Sequence, residues 1–176
     1  MAIAKRKKRF FDVEIPILNK ETQLQAYELK ELDGRIIIYD LTRLLRGKNI
    51  LAQFKVSVNG DKAEAEPREL KLLPSFIRRM IRKGTNQVDD SLEIQSKDFK
   101  VVIKPFLITR RKVSRAIRTA LRNKTKEELI LYAQNKTGKQ IFDDILKNSL
   151  QKELSFKLKK IYPLSLCEIR VFKIKN

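Results

Sequence analysis

The chain has no histidine and no tryptophan among its 176 residues, one cysteine and five glycines. Each shortage removes a class of chemistry. Without histidine there is no Ser-His-Asp or Cys-His catalytic arrangement and no His-bearing zinc site. A single cysteine, Cys167, excludes an intramolecular disulfide and a Cys-based zinc finger; its apolar, strand-like setting reads as a small core residue. Five glycines are too few for a phosphate-cradling loop, and neither a P-loop nor a dinucleotide fingerprint occurs. The adjacent carboxylates Asp89-Asp90, Glu127-Glu128 and Asp143-Asp144 read as turn or helix-start charges rather than metal ligands. The sequence therefore predicts no enzyme, no cofactor, no metal site and no small-molecule substrate. No apolar run approaches transmembrane length, and the first residues lead straight into bases without the apolar segment of a signal peptide. A cytoplasmic location with no membrane partner is the expectation.

One further absence says more. Residues 99–126 contain no acid, yet ten of the twenty-eight are Lys or Arg. Within this stretch Arg111, Arg115, Arg118 and Arg122 recur at steps of four, three and four, which at about 100° per residue is one helical face. Val113, Ala116, Ile117, Ala120 and Leu121 fall on the opposite face at the spacing of a buried stripe. A helix that merely solvates its charges interleaves Glu with Lys or Arg for i,i+4 support. None is available here, so the pattern predicts one side packed on protein and four guanidinium groups turned to an anionic partner.

The whole chain carries +19 with a pI near 10.1, while 42% of it is hydrophobic. That is enough apolar content for a real core, so this is no disordered polycation. The charge is uneven: residues 74–125 hold 14 bases against 4 acids, and five bases form the run Lys5, Arg6, Lys7, Lys8 and Arg9. Such a distribution points to nucleic acid.

Taken in order, residues 1–9 read as a flexible basic arm and 10–176 as one α+β domain. The domain is β-rich over 10–105 with a short helix at 74–83, helical over 111–162, and ends in a strand at 166–174. Phe10–Leu18 alternates as a half-buried strand, closed by Pro16 and the polar Asn19–Gln23; Leu24–Leu32 is a weaker strand. Asp33-Gly34 turns into Arg35–Tyr39, and Ile50–Val58 leads to Asn59-Gly60, a hairpin signal whose central residues need positive φ. In the short helix Arg78, Arg79, Arg82 and Lys83 supply charge and Gly84 the stop. Leu92–Gln95 and Phe99–Lys104 form a second hairpin, stopped by Pro105. Thr125-x-x-Glu128 and Thr137-x-x-Gln140 fit capping boxes, and Ser149 is placed to cap a third helix carrying Leu150, Leu154, Leu158 and Ile161. Strands followed by helices and a returning strand make an α+β pattern, whose antiparallel strands could close into a small barrel.

Several passages together resemble one family, the archaeal and eukaryotic small-subunit ribosomal proteins called S-three-Ae, or e-type S-one. They include Arg110-Arg111-Lys112-Val113-Ser114-Arg115-Ala116-Ile117-Arg118, and Lys160-Ile161-Tyr162-Pro163-Leu164 running into Glu168-Ile169-Arg170. Gly34-Arg35-Ile36-Ile37-Ile38 and Phe76-Ile77-Arg78-Arg79-Met80-Ile81-Arg82 resemble it too. The resemblance implies a barrel-like antiparallel sheet with flanking helices. It also implies a structural role on the platform of the small ribosomal subunit, near the ribosomal RNA 3′ end and the messenger exit. Partners on this reading are small-subunit ribosomal RNA, neighbouring ribosomal proteins, and messenger RNA near the exit.

The expected RNA-binding residues are Lys5, Arg6, Lys7, Lys8, Arg9, Arg78, Arg79, Arg82, Lys83, Arg110, Arg111, Lys112, Arg115, Arg118 and Arg122. Base stacking is expected to be minor, because most aromatics fit apolar stripes. The alternative is a free-standing single-stranded RNA-binding protein with a barrel platform, which would want aromatics on an exposed strand face. A membrane-surface or calmodulin-type helix would want bulky anchors where this one has Ala116 and Ala120.

Overall fold

A computed structural model describes residues 7–45, 47–60 and 62–175. It is α+β, with nine strands, four α-helices and a C-terminal strand that joins the sheet. Hydrogen bonding joins, in order, Lys20–Ala26, Arg9–Ile15, Lys62–Leu72, Leu164–Lys175, Lys100–Thr109 and Gln87–Asp89; Ile50–Asn59 pairs with Lys62–Leu72 and with Ile36–Asp40, and Leu92–Gln95 with Lys100–Thr109. Among the described residues this path does not close on itself, so the sheet is open where the strand pattern and the family resemblance suggested a barrel. Packing separates the chain into two compact units: one takes the chain up to Tyr39 with Ala52–Arg68, the other Asp40–Leu51 with everything from Glu69.

The first unit is built on β1 (Arg9–Ile15) and β2 (Lys20–Ala26), an antiparallel hairpin paired along its whole length from Arg9↔Ala26 to Ile15↔Lys20. Arg9 thus belongs to a strand and not to the arm. Pro16–Leu18 makes a single 3-10 turn, and Asn19 takes the left-handed conformation at φ 50 that reverses the chain. Sequence reading takes Asn19–Gln23 for a connector because it is polar. In fact Thr22 and Leu24 are half-buried opposite Val13 and Phe11 across the ladder, while Glu21, Gln23 and Gln25 are exposed. β3 (Ile36–Asp40) and β4 (Ile50–Asn59) follow, joined by bonds from Gly34 N–H to Val56 and from Val56 N–H to Arg35. β5 (Lys62–Leu72) pairs in parallel with β1 at Val13↔Ala63, the one parallel ladder seen among the registers. At the predicted hairpin Asn59 is the last residue of β4, and Gly60 takes the positive φ of 62.

In the second unit the period-2 pattern sorts side chains to two faces of the sheet. β8 (Lys100–Thr109) and β9 (Leu164–Lys175) pair antiparallel at its centre, flanked by Glu69–Lys71 of β5 on one side and by β6 (Gln87–Asp89) and β7 (Leu92–Gln95) on the other. One face carries Leu70, Phe172, Ile174, Val101, Ile103, Leu92 and Ile94, all buried. Pro105 does not stop β8. It sits at a register shift between Lys104 and Pro105, where a residue without an N–H is tolerated in a sheet.

Three helices cover the apolar face: α2 (Arg115–Gln134), α3 (Gly138–Leu146) and α4 (Ser149–Leu158), preceded in the chain by the short α1 (Pro74–Met80). α1 ends at Met80, so Arg82 and Lys83 lie beyond it and Gly84, at φ 82, turns the following loop. Thr125 starts no helix. It is buried inside α2, its hydroxyl donating to the Leu121 carbonyl at 2.7 Å, and α2 runs on for 20 residues. The Thr137 and Gln140 capping box does form and opens α3. α4 begins after Asn148, which sits at φ 59 with no side-chain cap, so Ser149 is the first helical residue. The helix stops at Leu158, leaving Ile161 exposed.

A polar cluster fixes the joint between α2 and α3. Lys136 Nζ donates to the Tyr132 hydroxyl and to Asp144 Oδ2, both at 2.7 Å, and its carbonyl accepts from the Ser96 hydroxyl in the β7–β8 turn. Burial pushes the Tyr132 phenol up to about 12. Burial also opposes the charge on Asp144, but the bonds from Lys136 and Tyr132 outweigh it and hold that carboxyl below its ordinary range. A depressed folded pKa contributes stability above the unfolded value, about 4, and loses it as pH falls through the folded one. Melting temperatures of parent and variant should therefore converge toward acid: Asp144→Asn should be less stable than the parent near neutral pH and close to it once the pH has fallen through the depressed folded value. A gap that persists unchanged into acid would mean the carboxylate charge contributes nothing.

Candidate nucleic-acid interface

The arginine-rich segment is held by a small clamp at the end of β8. Thr109 N–H donates to the Asn86 carbonyl at 2.9 Å, and the buried Thr109 hydroxyl accepts from Asn86 N–H at 3.0 Å. Asn86 Oδ1 in turn accepts from Val113 N–H at 2.8 Å. Residues 110–114 are thus pinned at both ends before Ser114 caps α2, its hydroxyl accepting from Ile117 N–H. Arg110, Arg111 and Lys112 lie exposed on this bridge, and Arg111 is not helical.

The two faces expected of α2 are not the two faces it has. Its buried stripe is Leu121, Thr125, Leu129 and Ala133. Traced back toward the N-terminus at steps of three and four, that stripe passes into Arg122, Arg118 and Arg115. The arginines continue the inward side of the helix where it reaches the β6 edge. There they line a cleft of about 180 Å³ with Gln87, Val88 and Thr119. Ala116 and Ala120 are exposed, and Ile117 is only half-buried. Arg115, Arg118 and Arg122 share one face as expected, but of the residues expected on the buried face only Leu121 is buried. Small alanines in a helix's first turns need no burial, and the sheet has ended before it could cover them.

The first turn of α2 holds no acid. Arg115 and Arg118 stand where the helix dipole is positive and where cations are unfavourable. Arg122 has a distant carboxylate, Asp90, at 3.9 Å. For Arg115 and Arg118 no ion pair occurs among the described residues. Such an arrangement weakens the helix end slightly and strengthens any site for an anion.

The second basic surface is the sheet face opposite the helices. In register, Lys100 faces Lys175, Val102 faces Lys173 and Lys104 faces Val171, with Lys71 beside Val171. Lys71, Lys104, Lys173 and Lys175, with Val102, Val171 and Ile77 and Arg78 of α1, wall an open groove of about 760 Å³. Glu93 binds Lys175 at 2.5 Å, Glu69 lies 4.0 Å from Lys173, and Arg170 bonds Asp89 at 3.3 Å. Lys71, Lys104 and Arg78 have no carboxylate partner among the described residues. Like charges directly opposite one another in a ladder are destabilising, and Glu93 offsets the Lys100 and Lys175 pair by bonding Lys175.

Of the other expected site residues, Lys7 and Lys8 are exposed, with Lys8 Nζ 5.6 Å above the Tyr27 ring. Lys5 and Arg6 lie outside the described residues. Arg79 donates to Asn49 Oδ1 at 2.8 Å and packs over Phe76, so it is tied to the protein while Arg78 opens to the groove. Arg82 and Lys83 are exposed on the loop after α1. Sequence reading missed Lys71, Lys104, Arg170, Lys173 and Lys175. The alternation Phe172-Lys173-Ile174-Lys175 was the available signal, since it puts lysines on one face once the other is buried. Among the described residues no group of three acidic, Cys or His side chains could hold a metal, and no helix is long and apolar enough to cross a membrane.

The sequence profile of the Ribosomal S3Ae family matches residues 4–176. The chain belongs to that family. It is therefore a ribosomal protein, a structural component and not an enzyme. Among its relatives is the small ribosomal subunit protein eS1 of Nanoarchaeum equitans, 27% identical over 95% of this chain and 88% of the relative. The Pyrobaculum aerophilum protein of the same name is 30% identical over 99% of this chain and 84% of its own length. That of Methanothermobacter thermautotrophicus is 25% identical over 93% and 88%. The family resemblance read from the arginine segment and the Ile161-Tyr162-Pro163-Leu164 end holds across the chain.

Proposed function

We propose that this protein is a structural constituent of the small ribosomal subunit in the cytoplasm and that it grips ribosomal RNA through two basic surfaces. The observation that carries the reading is the start of α2: Arg115, Arg118 and Arg122 in one cleft, at the positive end of a 20-residue helix with no acid in its first turn. Guanidinium forks suit phosphate oxygens, and the helix N-terminus adds to their field. The lysine face of the second unit extends the contact along a phosphate backbone. The Lys7–Arg9 stretch, with the bases before it, adds further charge. As the family resemblance implies, the proposed location is the platform near the RNA 3′ end and the messenger exit, with ribosomal proteins and messenger RNA as neighbours.

Purified protein should co-sediment with small ribosomal subunits and bind ribosomal RNA fragments with steep salt dependence. For Z neutralised phosphates, log K should fall against log salt with a slope of roughly −0.7Z to −0.9Z. Binding that is flat in salt would show that these surfaces are not the ones in contact. Cross-linking of the α2 start to RNA away from the 3′ region would move the proposed location.

A further inference from the structure

The aromatic side chain most exposed to solvent is Phe156 on α4, at 71%. A benzyl group so placed loses apolar burial for no internal gain, and neither basic surface described above uses it. Lys152 and Lys159, four residues before and three after, share its face of the helix and are exposed, with no ion pair among the described residues. Beside them opens a cleft of about 490 Å³ that also takes in Lys48, Asn148, Ser155 and Glu168. A volume of that size falls within the range of small-ligand sites. Glu168 is the one carboxylate in its wall, and Lys48 Nζ already binds it at 2.5 Å while reaching Asn148 Oδ1 at 2.6 Å. The Asn148 amide nitrogen and the Ser155 hydroxyl have no acceptor among the described residues.

From this we infer that Phe156 is a stacking platform for an unpaired nucleobase of single-stranded RNA, with Lys152 and Lys159 holding the flanking phosphates. The inference rests on the RNA-binding reading above. An aromatic face between cations is the arrangement that binds single strands, because every base has a π-face and every linkage a phosphate. A protein partner would be met differently. Aromatic anchors at protein interfaces sit in packed apolar surroundings, whereas the exposed neighbours of Phe156 on α4 are Lys152, Glu153, Lys157 and Lys159. The Asn148 amide and the Ser155 hydroxyl are placed for a base edge or a 2′-hydroxyl. The expectation that stacking is minor is thus replaced at one position. The signal was legible, since Phe156 falls outside the Leu150, Leu154, Leu158 stripe of its helix.

The absence of tryptophan makes the test direct. Phe156→Trp would install the only indole in the chain, and a base stacked on it would quench its fluorescence. Titration with a single-stranded oligouridine or oligoadenosine of about ten nucleotides should give saturable quenching, and duplex RNA of equal length should not. Phe156→Ala should bind the single strand roughly tenfold more weakly, with an unchanged salt slope and melting temperature, and Phe156→Tyr should restore affinity. If the parent and the alanine variant bind single strands equally and the indole is not quenched, the inference is wrong and a protein surface is the better occupant. If the parent binds no RNA of any kind, the functional reading itself fails, and this site with it.

Discussion

Phe172→Ala should melt roughly 10 °C below the parent chain. Phe172 is fully buried in β9, where the register sets it opposite Ile103 on one side and Leu70 on the other. Its ring meets Phe142 of α3 edge to face, centroids 6.2 Å apart at 71°. It therefore ties the central strand pair to the helical layer. Truncating such a phenylalanine costs about 3–5 kcal/mol, and a chain of this length loses about 2–4 °C per kcal/mol. Against a total stability of about 5–15 kcal/mol that is a large share. Ile117→Ala is the control. Ile117 is only half-buried at the projecting end of α2, so its truncation should cost about 1 kcal/mol or less. Thermal melts of the two variants decide the point. Equal losses would mean the start of α2 is packed as tightly as the sheet.

That contrast shows where the sequence was readable. Alternation found β9 and the first half of β8, because a ladder with one wet and one dry face writes its register into the chain, but it left β8 short at Pro105 and β6 unread. The capping box at Thr137 was readable because both partners are local. The same pattern at Thr125 misled, since a threonine hydroxyl inside a helix can return to the carbonyl four residues back, as it does to Leu121. Pro105 misled because a proline ends a strand only if the strand cannot bulge. α1 was overextended through Arg82 and Lys83, whose high helix propensity was overridden by the extended backbone at Ile81. In each failure the residue type allowed two local geometries, and the tertiary setting chose between them.

The site divides the same way. The arginine cluster was legible as composition, for a stretch without acids needs no structure to be noticed. Its orientation was not, because helical periodicity says which residues share a face and leaves open which face the protein covers. The lysine face of β8 and β9 was legible in principle. Its bases stand alone between apolar residues, and each looks like an ordinary exposed strand position until the register brings four strands together.

The second large effect is expected on RNA. Replacing Arg115, Arg118 and Arg122 together by alanine should weaken ribosomal RNA binding by roughly 10²-fold at 0.1 M salt, since the counterions released by each phosphate contact contribute about 1 kcal/mol there. The salt slope should become shallower by about one unit per contact, or three in all. Stability should hold or rise slightly. The three side chains are exposed, the one carboxylate nearby is 3.9 Å from Arg122, and two of the charges oppose the helix dipole. The measurement is a filter-binding or anisotropy titration across salt concentrations beside a thermal melt. Because these arginines run into the buried stripe of α2, a different outcome has a definite meaning. A variant that melts early and binds RNA normally would show that the guanidinium groups hold α2 against the β6 edge. The lysine face of the sheet would then be the main contact, and charge reversal at Lys71 and Lys104 would become the test of the RNA-binding surface.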